Sequence, residues 1–140
     1  MIVVDYLNNH SKNNKTMTDK LIMGVRILLG LIMLIFGVNK FLNFLPMPEI
    51  AGDGGTLMGI YFTSGFMSII GVLEIVFGLA LLLNKYVPLA LTFTVAILFN
   101  AFIFHALHDI AGIGGAAVGL AMSLYLVYAH KVRFLSLLSA

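Results

Sequence analysis

Residues 21–42 contain two charged side chains, Arg26 and Lys40, and residues 86–107 contain none. Apolar runs of that length admit few folds. A water-soluble domain of 140 residues, 61% of them hydrophobic and 10% charged, would have to hide more apolar surface than so small a body encloses. About 20 apolar residues at ~1.5 Å each suffice to cross ~30 Å of hydrocarbon. The runs are continuous rather than alternating, so they read as helices and not as barrel strands. The sequence predicts an all-α integral membrane protein.

Four spans are expected, at about 21–42, 64–83 and 86–107, with a shorter one at 114–128. The short connections NKYVP and HDIAGIGG make consecutive helices antiparallel neighbours, which gives an up-down bundle of four transmembrane helices. The long connection, LPMPEIAGDGGTLMGIYFTSG, carries two prolines and a glycine cluster that read as helix breakers, with residues 57–62 along the interface. Residues 1–19 are expected as a flexible cytoplasmic tail, 20–134 as the transmembrane domain and 135–140 as a C-terminal tail. The first apolar run is too long for a cleaved leader, and Met17 offers a second start.

Lys12, Lys15, Lys20, Arg26, Lys85, Lys131 and Arg133 fall on the side of both termini, against Lys40 on the other. This positive-inside bias places both termini in the cytoplasm, with Tyr125, Tyr128, His130, Lys131 and Arg133 as an inner anchor. Orientation thus accounts for the basic residues, and no nucleic-acid partner is expected. Cysteine is absent, which excludes disulfides, thiolate metal sites and thiol chemistry carried by this chain. No phosphate-cradling loop, nucleophile elbow or acid–base carboxylate pair is present.

The polar and small residues within the spans fall in stripes. Arg26, Gly30, Met33, Gly37 and Lys40 share one helical face; Ser64, Ser68, Gly71, Glu74 and Gly78 share another, and Gly115, Gly119 and Ser123 a third. Small residues so spaced mark close helix packing in lipid. Glu74 lies within such a stripe and is expected to face the bundle interior. It reads either as a proton relay or as a buried clasp that fixes register, and both readings stay open. Counted from the inner span ends, Glu74 lies ~15 Å deep, Arg26 ~8 Å and Lys40 ~28 Å. Arg26 is therefore the expected partner, and Lys40 only if the helices are offset.

Asn100, ~21 Å deep, is the nearest polar neighbour of Glu74 on the outward side. Asn39, Lys40, Asn100, His105 and His108 are expected to form a polar outer mouth that hydrogen-bonds the head of an apolar ligand. For the histidines the alternative is plain contact with headgroups and water. A metal would need His105, His108 and a carboxylate, but the helix lacks the context of a metal-hydrolase motif, and no metal is expected.

Three stretches, RILLGLIMLIFGVNKF (26–41), IGVLEIVFGLALLLNKYVPLAL (70–91) and NAFIFHALHDIAG (100–112), together resemble the DoxX family of small bacterial four-span membrane proteins. The resemblance covers about residues 20–134. It implies a four-helix bundle in the bacterial cytoplasmic (inner) membrane and an association with thiosulfate:quinone oxidoreduction. It also implies a quinone cofactor, a soluble or membrane oxidoreductase subunit as partner, and Arg26, Lys40, Glu74 and Asn100 as positions to carry over. The expected function is the membrane subunit of a quinone-linked oxidoreductase complex. A non-catalytic binder or carrier of a lipid or other apolar molecule, and a scaffold subunit, are the alternatives. Membrane lipids and a second copy of the chain, as a homo-oligomer, complete the expected partners.

Overall fold

The computed structural model describes residues 2–46 and 48–138, with side chains over 15–46 and 48–135. Every regular element among the described residues is helical: α1 (Ile2–Leu42), α2 (Gly52–Thr63), α3 (Phe66–Leu82), α4 (Val87–His108), α5 (Ile113–Ala129) and α6 (Lys131–Leu138). α1 packs on α3 and α5, and α4 packs on the same two, so these four helices enclose the core. α2 leans on α3 and α4, and α6 on α5. Leu29, Met33, Leu81, Val87, Ala90, Leu91 and Leu126 are almost fully buried between them.

The outer faces are as apolar as the inside. Leu28, Ile35, Val72, Val76, Phe93, Phe99 and Leu124 are all exposed, a surface that water penalises and hydrocarbon does not. The stretch Lys15–Leu42 and the helix Val87–His108 are each long and apolar enough to cross a membrane. α2 and α3, bent by 75° at their junction, make a third if they count as one span, and α5 is a shorter apolar helix of 17 residues. Two to three candidate spans are compatible with a membrane protein.

The helix ends follow from local chemistry. Gly65 takes the left-handed conformation (φ 81°) that turns α2 into α3, a conformation that costs a residue without Cβ little. After α3, Asn84 is left-handed (φ 56°), its N–H donates to Leu81 O, and Lys85 N–H donates to Ala80 O. These are the two bonds of a Schellman stop. Pro88 then occupies the first turn of α4, where a missing N–H costs no helical bond.

The helices depart from the sequence expectations at several places. The glycine cluster after the first span does not break helix but lies inside α2, because bare backbone is needed there. A Cβ at Gly54 would lie 2.7 Å from His108 Cβ, and one at Gly55 would collide with the Ile50 carbonyl. The segment 1–19 is helical from Ile2, continuous with the first apolar run; it contains neither Gly nor Pro, and extending an existing helix is far cheaper than starting one. In the C-terminal segment 135–140, the residues up to Leu138 continue α6. Ser64 and Ser68, assigned to the packing stripe, are exposed, since Ser64 caps α2 and α3 begins only at Phe66.

The rest of that stripe meets its counterpart on α1 face to face and antiparallel. A Cβ at Gly30 would lie 3.0 Å from Gly78 O, one at Gly78 2.9 Å from Gly30 O, and one at Gly37 2.9 Å from Gly71 O. Backbone cannot retreat as a flexible side chain can. Gly37→Ala and Gly78→Ala are each expected to destabilise the protein by about 1–3 kcal/mol. Gly24→Ala, with nothing within 4 Å of the new methyl, should be neutral or slightly stabilising. Thermal unfolding in mild detergent checks the contrast.

Candidate functional site

The glycine contacts fix the register of α1 against α3, with Gly30 opposite Gly78 and Gly37 opposite Gly71. Glu74 then stands level with Leu34, and Lys40 about six residues, ~9 Å, further along α1. Helical side chains lean toward their own N-terminus. In this antiparallel pair Lys40 leans back toward Gly37 and Glu74 leans toward Gly71, so the two converge. Lys40 Nζ lies 2.5 Å from Glu74 Oε2, with the side chains 17% and 8% exposed. The bare backbone at Gly37 admits the carboxylate's stem, since a Cβ there would lie 2.9 Å from Glu74 Cβ.

Arg26 leans the other way and does not reach Glu74. Its Nη1 donates to the carbonyls of Leu81 and, at 3.4 Å, Leu82. These carbonyls belong to the last turn of α3, where intrahelical donors run out and the helix dipole is negative. Arg26 therefore caps α3 from a neighbouring helix. The expected pairing is corrected for two reasons: the helices are offset by about one turn from the alignment of their span ends, and the lean of each side chain separates Arg26 from Glu74 while joining Lys40 to it.

Asn39 is also reassigned. It is 4% exposed, and its amide exchanges two hydrogen bonds with the backbone of Leu45, accepting at 2.7 Å and donating at 3.3 Å. Together with left-handed Asn43 this folds the chain back just past the end of α1. His105 shares a 2.9 Å hydrogen bond with Asp109 across the α4–α5 turn, over Gly112, where a side chain would collide with both.

Of the expected outer mouth, Asn100 and His108 do come together. They stand two turns apart on α4 and, with Ile103, Phe104 and Leu107, face Leu57 and Tyr61 of α2 across an open cleft of about 190 Å³. The Phe104 and His108 rings lie 5.4 Å apart. Tyr61 joins this site although its sequence position read only as interfacial. The available signal was its spacing of four from Leu57, which puts both on one face once the segment is helical. Glu74, Lys40, Asn39 and His105 do not line the cleft.

An amide, a phenol and an imidazole set among apolar walls can hydrogen-bond the oxygens of an apolar ring or headgroup. Among the described residues no three His, Cys, Asp or Glu side chains stand together as ligands for one ion. The fold and site thus define an all-helical protein, compatible with a membrane setting, that carries an ion pair between two apolar helices and a separate amphipathic cleft. Comparison with protein-family models, with curated proteins and with solved structures gave no match.

Removing one partner of a buried ion pair strands the other. Lys40→Met and Glu74→Leu are each expected to cost about 3–5 kcal/mol, and the double variant less than their sum, because it leaves no uncompensated charge. Unfolding of the four proteins in detergent, as a double-mutant cycle, measures the coupling.

Proposed function

We propose that this chain is a DoxX-like membrane subunit of a quinone-linked oxidoreductase complex. It crosses the bacterial inner membrane four times in up-down order, with both termini in the cytoplasm. α1, α3, α4 and α5 are the spans. α3 and α5, at 17 residues each, reach about 26 Å, a mismatch that local bilayer thinning accommodates.

The observation that carries the reading is the α2–α4 cleft. Asn100, His108 and Tyr61 supply hydrogen bonds suited to quinone oxygens, and Phe104, Ile103, Leu107 and Leu57 supply an apolar surround for the ring and the start of its tail. Reducing a quinone to a quinol takes up two electrons and two protons, so groups that can pass protons must stand at the oxygens. His108 and Tyr61 have that capacity. The chain contains no cysteine and hence no thiol donor of its own, and in this reading a partner subunit supplies the electrons. Glu74 is assigned the clasp rather than the relay, because its carboxylate is engaged by Lys40 and lies away from the cleft.

Titration with a short-tailed ubiquinone analogue, followed by tyrosine fluorescence, tests the ligand. Saturable binding is expected, weakened about five- to tenfold by Asn100→Leu and by His108→Leu, and unchanged by Glu74→Gln. Binding that never saturates, or that ignores both cleft substitutions, removes the quinone reading. The absence of native cysteine makes the topology directly testable. In oriented vesicles, an impermeant maleimide should label Asn43→Cys from the outer face and Lys131→Cys from the cytoplasmic face.

A further inference from the structure

We infer that the groove between α1 and α5, at the end of the bundle opposite the cleft, binds an anionic glycerophospholipid, with an acyl chain along the groove and the phosphate at the basic end. The inference shares the membrane reading with the proposal above but is independent of the quinone.

The groove has a cause in the register. Since Gly30 faces Gly78, the last residue of α3, Leu82, is level with Arg26. Toward its N-terminus from that point α1 has lost α3 as a neighbour and keeps α5. What opens is a groove of about 330 Å³ lined by Leu21, Val25, Ala121, Met122 and Tyr125. Of the lining side chains Tyr125 alone carries a polar atom. Water gains nothing from such a wall, and at this depth on an apolar helix the available filler is an acyl chain.

Charge at the mouth selects among lipids. On α5 the face that lines the groove continues from Tyr125 to Tyr128 one turn on, and the Lys131 ammonium lies 4.7 Å from the Tyr128 ring centroid. On α1, Lys20 immediately precedes Leu21, with Lys15 further out. Lys85 of the α3–α4 link and Arg133 of α6 belong to the same end, and Asp19 is the acidic residue among them. The apolar residues of α6 point both ways, with Phe134 packed toward the core and Val132 and Leu135 exposed, as suits a helix lying at the headgroup level. Tyrosines beneath a cationic rim place the two halves of a phospholipid in order, acyl chain inward and phosphate outward.

Native mass spectrometry of the full chain in detergent, with dioleoylphosphatidylglycerol or dioleoylphosphatidylcholine added at equal mole ratio, tests this. The anionic lipid should be retained in preference. Lys20→Gln and Lys131→Gln should each lower its retention about fivefold and leave the zwitterionic lipid unaffected. Val25→Trp, which fills the groove, should lower retention of both. Equal retention of the two lipids by the wild type overturns the proposal. So does retention that ignores both lysine substitutions, or a dimer that Val25→Trp dissociates, which would make a second copy the occupant. Lys20 and Lys131 are exposed, so their variants decide the question even where the groove-filling variant fails to fold. Loss of quinone binding in the separate titration would leave this result standing.

Discussion

The close approach of α1 and α3 at two glycine levels is the contact on which the other features depend. Well-fitted surfaces so close gain dispersion energy in any apolar setting, and in hydrocarbon they need no hydrophobic force to associate. Gly30 and Gly37 are seven residues apart, as are Gly71 and Gly78, so the two backbones stay in contact over roughly 10 Å. That approach brings Lys40 within reach of Glu74. It also lets α3 offer its terminal carbonyls to Arg26. Both cations of α1 that lie within its apolar stretch are thereby answered by α3, one by a carboxylate and one by a helix end. A slip of one turn would leave both charges stranded, so these polar contacts specify the register.

Much of this was legible in the sequence, and the rest was not for identifiable reasons. The stripes through Gly30–Gly37 and Gly71–Glu74–Gly78 read directly as packing faces, because a period near 3.6 survives in any helix. Partner choice within the faces did not. Counting depth from the ends of apolar runs assumes that neighbouring helices end level. α3 ends about a turn short of Leu21, where the apolar run of α1 begins, and the glycine contacts reveal the offset. The lean of side chains toward the N-terminus, a property of every helix, was the cue that separates Lys40 from Arg26 once the register is known.

The segment after α1 was misread for a different reason. Glycine disfavours helix by propensity, yet tertiary contact overrides propensity where bare backbone is the only thing that fits. Gly54 against His108 is such a place, and it anchors α2 to the far end of α4. Tyr61 could not be seen as a site residue until α2 was seen as a helix. Asn39 was misassigned because an amide near a span end serves a chain reversal as readily as a ligand, and only its bonds to Leu45 tell the two apart.

α3 is the helix that ties these observations together, through its length more than its chemistry. At 17 residues it is shorter than α1 or α4. At its start the left-handed turn at Gly65 swings the chain through 75° into α2, and α2 closes one wall of the Asn100–His108 cleft. At its finish Leu82 stops level with Arg26, which hands over carbonyls for capping and leaves α1 beside α5 alone. An α3 extended past Leu82 would bond the Leu81 and Leu82 carbonyls within the helix and keep α1 covered there, and one extended before Phe66 would displace α2. The same truncation thus produces a polar recess at one end of the bundle and an apolar one beneath a cationic rim at the other. The Lys40–Glu74 ion pair joins α1 to the short helix between them.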